Sequence, residues 1–528
     1  MNIRTLLVAA LLVASSLFAQ SFSMRAGMTS SSGRTYSYYE YPVSNGILTY
    51  SSEMVPTSLP AVGYQIRILS NHNLINGKML KPIIVPEGFD VDHGTGDQVT
   101  FENMQDLLSR VADVNTLGNT SVTPLIKTLY DEGFEIVILK FKDCTRAVND
   151  NSWAIQSATL KVASWLESPV LPIKFVGPSM GGLVQRHALQ TFHSRFSGTK
   201  PNVSTYISFD SPQRGALVPM SVQAFLLYVY RLDDDSKIKL ANLTSPAAQQ
   251  MLLYYQKQTV MPDGNQTFTL NVGDYEGAST PHGIFMRTMD QGVSELYNYS
   301  RNSWTAGDIS RVSILNGSGD AATQGLPQNT EIMTMYADAF SVDQAKVHLY
   351  SHGGGRTAIF SGWRKGMGIN DYSLTQNLTG DCCFVENAPG GARKSYTDAG
   401  KGWLDTDPDG ATTGMSMWNA AFGPDPRNST TPVGGKPLGH SFVPTISGLG
   451  LNPALEGTNV NTTNFWFRNA RAVANAANYR DVSIFNKAYL PAKNQPHMYI
   501  TTENINWFLN ELRATPCIAQ SPVNLPLL

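Results

Sequence analysis

Residues 175–187 read FVGPSMGGLVQRH, and the centre of this stretch, Gly177-Pro178-Ser179-Met180-Gly181, has the form G-x-S-x-G. The spacing makes Ser179 a candidate nucleophile. A serine hydroxyl attacks a carbonyl poorly on its own. It needs a base to take its proton, a third group to orient that base, and N–H donors for the oxyanion that forms. Gly177 and Gly181 carry no side chains, so a strand entering Ser179 and a helix leaving it can approach closely. Met180 N–H, on the residue after the serine and at the positive end of that helix, is the first expected oxyanion donor. The second is sought in the loop after an earlier strand. In KPIIVPEGFD (81–90) the apolar run ends in Pro-Glu-Gly, and Phe89 N–H is the candidate, with Gly88 letting the chain turn.

The base is expected to be a histidine C-terminal to Ser179. His187 and His193 lie on the helix that follows the serine, too far along it to reach back. His282 sits in a helical segment, and His348 and His352 read as surface or turn positions. His497, in NQPHMYIT, precedes the last helix and is the favoured base; His440, in GHSFVPT, is the alternative. For the acid, Asp320 closes NGSGD just beyond a strand and is favoured. Asp210, in FDSPQRG, is the alternative, and its competing role is to cap the turn at Ser211-Pro212. Asp405, Asp407 and Asp409 form D-x-D-x-D-G, the opening of a calcium loop, but Ser416 stands where the bidentate acid belongs. An acidic, solvated turn is the simpler reading of them. No metal site is expected, and serine chemistry requires no metal or organic cofactor.

The elements around these residues support the placement of Ser179. FEIVILKF (134–141), PIKFVG (172–177) and VSTYISFD (203–210) are near-continuous apolar runs, the pattern of strands buried on both faces. Between them, residues 151–168 and 181–196 have helical spacing. Alternation at this period predicts a mostly parallel sheet covered by helices on both faces, with Ser179 at a strand-to-helix junction. Residues 20–75 read as a β-rich N-terminal extension, and 76–330 as the α/β core. Within the core, 217–300 holds three helical patterns that would make a helical lid. Residues 331–484 read as a β- and loop-rich insertion, 485–515 as the end of the core, and 516–528 as a tail.

Composition narrows the function classes. Of 528 residues, 42% are apolar and 15% charged, which is globular, and the net charge of -2 gives no electrostatic support for a nucleic-acid partner. The first 19 residues carry Arg4 followed by an apolar run too short to span a bilayer, the pattern of a cleaved signal peptide, so a secreted or periplasmic protein is expected, with no transmembrane segment. Four cysteines (Cys144, Cys382, Cys383, Cys517) are too few for a disulfide scaffold in so long a chain. Oligomeric state is not set by these features.

The segments IIVPEGFD, VGPSMGGLVQRHAL, FDSPQRGA, SPAAQQML, ILNGSGD, NAPGG, FVPTISGL and HMYITTEN together resemble the α/β-hydrolase superfamily, and more narrowly the secreted lipase/esterase-like hydrolases of Bacteroidetes-type bacteria. The resemblance implies an α/β-hydrolase fold, with Ser179 as nucleophile, Met180 and Phe89 as oxyanion donors and His497 as base. It leaves the choice between Asp320 and Asp210 open. It implies hydrolysis of a small-molecule or lipid ester through an acyl-enzyme. An amidase or acyltransferase with the same machinery, or a non-catalytic binding protein on the same scaffold, are the alternatives.

Overall fold

A computed structural model describes residues 23–29, 35–43, 62–70, 78–90, 101–113, 120–196, 203–229, 234–260, 266–271, 280–293, 309–326, 331–339, 342–351, 358–364, 372–377, 384–393, 429–432, 439–453 and 463–514. The expected signal segment, the acidic turn at Asp405, Asp407 and Asp409, and Cys382, Cys383 and Cys517 lie outside them. Cys144 is a buried free thiol.

Among the described residues nine strands form the main sheet: β1 (Ser23–Thr29), β2 (Thr35–Val43), β3 (Tyr64–Leu69), β4 (Pro82–Pro86), β5 (Glu135–Phe141), β6 (Ile173–Pro178), β7 (Val203–Phe209), β8 (Ser310–Ile314) and β9 (Lys487–Tyr489). Their spatial order is β1-β2-β3-β5-β4-β6-β7-β8-β9. From β5 through β9 all neighbours are parallel, while β1, β2 and β3 continue the sheet antiparallel at one edge. The β-rich N-terminal segment is thus part of the main sheet.

Helices α1 (Phe101–Ser109) and α2 (Leu125–Asp131) cover one face with the final helix Asn504–Arg513; α3 (Val148–Ser164) and α4 (Met180–Arg195) cover the other. The continuous apolar runs follow from this arrangement. Successive strand side chains point to opposite faces, so Ile84, Val137, Leu139 and Phe175 enter one core while Ile83, Val85, Ile136, Ile138 and Val176 enter the other. Each such side chain, fully buried, contributes about 1.5–3 kcal/mol of transfer free energy.

Residues 217–300 are not purely helical. Met220–Val229, Pro246–Met251 and Pro281–Gln291 are helices, but Tyr255–Val260 pairs antiparallel with Gln266–Asn271. The aromatic and β-branched run after Leu253 overrides the helical spacing there. The described parts are packed into the body. Helix Met220–Val229 is buried over residues 220–228 and touches strands Val342–Tyr350 and Ala358–Arg364 of a five-stranded antiparallel sheet. Helix Pro281–Gln291 is tied down where Arg214, itself buried, grips both Asp290 oxygens at 2.8 and 2.7 Å. No helix among the described residues is long and apolar enough to cross a membrane.

Candidate active site

The parallel strands deliver their carboxyl ends to one edge of the sheet, and the residues that could do chemistry are the first ones past those ends. Ser179 follows Pro178 of β6. Its N–H still donates to Phe209 O, at the end of β7, at 2.9 Å. Asp210 follows Phe209, and its N–H donates to Ile314 O, at the end of β8, at 2.7 Å. Each residue is therefore held by the neighbouring strand while its side chain is released from the pleat. Both pay for the sharp exit in backbone conformation: Ser179 has φ 49° and ψ −131°, and Asp210 has φ 43°. Of the four non-glycine residues with positive φ among the described residues, a third, Met498 at φ 60°, directly follows His497. Such conformations cost on the order of 1–3 kcal/mol each and persist only where packing enforces them.

At the Ser179 turn the enforcement is steric. A methyl group on Gly177 would lie 2.3 Å from Gly182 Cα, and one on Gly181 would lie 2.9 Å from Glu87 O. Bare glycines let β6, α4 and the loop after β4 meet, and that loop runs directly beside the serine: a methyl group on Gly88 would lie 3.3 Å from Ser179 Cβ. Phe89, half-buried in the same loop, and Met180, buried at the start of α4, are therefore both carried to the neighbourhood of the serine.

Three side chains join in a chain of hydrogen bonds. The Ser179 hydroxyl lies 3.0 Å from His497 Nε2, and His497 Nδ1 lies 2.6 Å from Asp210 Oδ2. The Nδ1 proton donates to the carboxylate, which leaves Nε2 as the acceptor for the hydroxyl proton. The Asp210 side chain is wholly shielded from solvent, and its other oxygen, Oδ1, accepts the Asn316 N–H at 3.1 Å. Nothing bulkier than glycine fits beside it, because a methyl group on Gly391 would lie 2.0 Å from Oδ2. The loop carrying His497 is pinned through its backbone, with His497 N–H donating to Ala392 O at 2.9 Å. The Phe442 ring packs edge-on against the imidazole, with ring centres 4.7 Å apart.

The favoured acid of the sequence reading is corrected here. Asp320 lies in the exposed loop beyond β8, where Arg471 holds it in a two-pronged ion pair at 2.7 and 3.2 Å. The alternative, Asp210, is the carboxylate that meets the histidine. His440, the alternative base, is also placed elsewhere. It is fully buried, its Nδ1–H donates to Ser441 O at 3.0 Å, and burial holds it down to about 3. His187 is likewise a buried structural histidine, bonded to Ser152 Oγ at 2.8 Å. Gly391, Asn316 and Phe442 escaped the sequence reading. Each lies in a segment that carries the resemblance, ILNGSGD, NAPGG or FVPTISGL, but no role was read for it there.

No protein-family model and no curated protein matches the chain. Solved structures do. A CocE/NonD family hydrolase from Staphylococcus aureus aligns at 9% identity and TM-score 0.24, covering 42% of this chain and 37% of its own. The peroxisomal alpha-beta-hydrolase Lpx1 from Saccharomyces cerevisiae aligns at 7% and 0.24, covering 53% and 74%. Candida antarctica lipase A in its closed state aligns at 14% and 0.24, covering 39% and 44%. The aligned part of this chain spans under half the length of the first and third of these. The chain itself has an α/β fold, a mostly parallel sheet with helices on both faces. In this fold Ser179, Asp210 and His497 come from the ends of the neighbouring strands β6 and β7 and from the loop after β9.

The electrostatics of His497 set a pH expectation. Burial pushes its pKa below the ordinary histidine value; the Asp210 hydrogen bond and charge pull it up, and the Arg393 charge pushes it down. A base works in its neutral form, so a depressed pKa keeps it competent to lower pH. The acid limb of kcat/KM is expected below pH 6.5. Arg393→Gln removes a depressing charge and moves that limb to higher pH. The limb must be read apart from unfolding. His187 and His440 are held down to about 3 and His282 to about 4, whereas in the unfolded chain all three take up protons below about 6.5. Their contribution to stability is present above that pH and is lost as pH falls, so rates need a parallel check by circular dichroism.

Proposed function

We propose that this chain is a serine hydrolase that cleaves carboxylic esters through an acyl-enzyme. The observation that carries the reading is the buried Asp210–His497–Ser179 chain, at 2.6 and 3.0 Å. In the first half-reaction His497 Nε2 takes the Ser179 proton as Oγ attacks the ester carbonyl. Asp210 holds the Nδ1–H tautomer and stabilises the imidazolium that forms. Met180 N–H and Phe89 N–H receive the developing oxyanion, and His497 returns the proton to the leaving alcohol. In the second half-reaction His497 takes a proton from the water that attacks the acyl-serine, and returns it to Ser179 Oγ as the ester bond breaks and the acid leaves. We take the substrate to be met outside the cytoplasm, on the strength of residues 1–19 alone.

A fluorophosphonate reports an activated serine directly. Wild-type protein is expected to be labelled on Ser179, located by peptide mass, and Ser179→Ala is expected to take no label. Esters of graded acyl length, run beside the matching amides, then test the substrate class. Absence of label on folded wild-type protein would reject the nucleophile assignment, and amide cleavage faster than ester cleavage would reject the ester assignment.

A further inference from the structure

The loop that brings Phe89 to the serine leaves the sheet abruptly, and the means by which it does so is visible in the hydrogen bonds of Glu87. Strands β4 and β5 are parallel, with Pro86 level with Leu139. In a parallel ladder every second residue uses both its main-chain groups toward the same neighbour. Here that residue is Glu87. Its N–H donates to Leu139 O at 2.9 Å, as the ladder requires. The next bond of the pattern would run from Phe141 N–H to the Glu87 carbonyl. Instead Phe141 N–H donates to the Glu87 side chain, at Oε1, at 2.5 Å. The side chain stands in for the carbonyl of its own residue.

The substitution frees the main chain. The Glu87 carbonyl turns away from β5 and lies over the start of α4, close enough that a methyl group on Gly181 would be 2.9 Å from it. The next residue, Gly88, then passes beside Ser179. Glu87 is 3% exposed, so its carboxyl has little access to water, and burial pushes it well above the usual carboxylate range despite the nearby Lys140 charge. Accepting one N–H needs no charge, so the task does not depend on the ionised form.

We propose that Glu87 is a positioning residue for the oxyanion donor: its side chain takes over the last sheet hydrogen bond of β4, which releases residues 88 and 89 to cross the serine. The proposal rests on the serine-hydrolase reading above. Without the side-chain acceptor, a buried Phe141 N–H is left unpaired, which is unfavourable. The Glu87 carbonyl recovers that cost by swinging back into the ladder, and this draws the loop toward β5 and away from Ser179.

The experiment compares Glu87→Leu, Glu87→Gln and Glu87→Asp with wild type, using ester kinetics and thermal unfolding. Glu87→Leu is expected to lower kcat by about 100-fold, the scale of losing one oxyanion donor, with KM within about 2-fold. Glu87→Gln keeps an acceptor of the same reach and is expected to restore kcat to within about 3-fold of wild type, because only the acceptor oxygen is needed. Glu87→Asp keeps the acid but shortens the arm by one methylene, so its kcat is expected to fall between the two; it also serves if the leucine variant does not fold. Folded Glu87→Leu or Glu87→Asp with wild-type kcat would overturn the proposal. So would Glu87→Gln as slow as Glu87→Leu. The fluorophosphonate experiment separates this failure from that of the underlying reading, since labelled wild-type Ser179 with indifferent Glu87 variants rejects only the positioning role.

Discussion

Ser179→Ala and His497→Ala are each expected to lower kcat for ester hydrolysis by about a million-fold, with KM little changed, and the double variant is expected to be no slower than either single one. The scale and the non-additivity have the same origin. The hydroxyl is 3.0 Å from Nε2, and among the described residues no other side-chain base is hydrogen-bonded to it. Without the imidazole the serine is an ordinary alcohol; without the serine the imidazole has only water to activate, in a geometry built for an attached oxygen. Either loss removes the whole proton-transfer step, so the second loss has nothing left to remove. What remains comes from the oxyanion donors and substrate binding, which neither change touches. The measurement is the rate of release of a chromogenic alcohol at saturating ester, with each variant prepared separately to exclude traces of wild type. Modest losses that multiply in the double variant would show two independent groups, and the shared-proton mechanism would fall.

The parallel sheet and the nucleophile were legible in the sequence for a physical reason. Strands buried on both faces, such as β5 and β6, must be apolar throughout, and a tight strand-to-helix turn demands glycines two residues either side of the serine. His497 was legible because few histidines fall near a strand end late in the chain. The acid was not. Asp210 and Asp320 both follow strands of the parallel sheet, and nothing local tells which meets the imidazole. Asp210 comes immediately after β7 in a positive-φ conformation, whereas Asp320 comes six residues after Ile314 and reaches a surface arginine 151 positions further on. Gly391 and Phe442 were invisible for the same reason. Both belong to the segment read as an insertion, and only the folded chain shows them lining the acid and the imidazole. The hairpin at Tyr255–Val260 was misread because apolar residues before it continue the helical stripe of Pro246–Met251.

The two aspartates give opposite outcomes under the same substitution. Asp210→Asn is expected to lower kcat by about 10,000-fold while the protein folds normally. Asn316 N–H occupies one oxygen position, so the asparagine carbonyl takes that place and its NH2 faces His497 Nδ1. Two donors cannot share that contact. The imidazole must then leave Nδ1 bare and carry its proton on Nε2, where it can no longer accept from the Ser179 hydroxyl. The amide cannot turn aside to relieve this, because Gly391 closes the space beside Oδ2 and the group is wholly buried. Asp320→Asn breaks only a solvent-exposed pair with Arg471, and surface pairs are worth about 0–1 kcal/mol, so its kcat should stay within about 2-fold of wild type. The assay is kcat on one ester for both variants, with circular dichroism to confirm folding. A large loss for Asp320→Asn beside a small one for Asp210→Asn would mean that the working histidine is oriented from the surface loop, and that the 2.6 Å contact is structural.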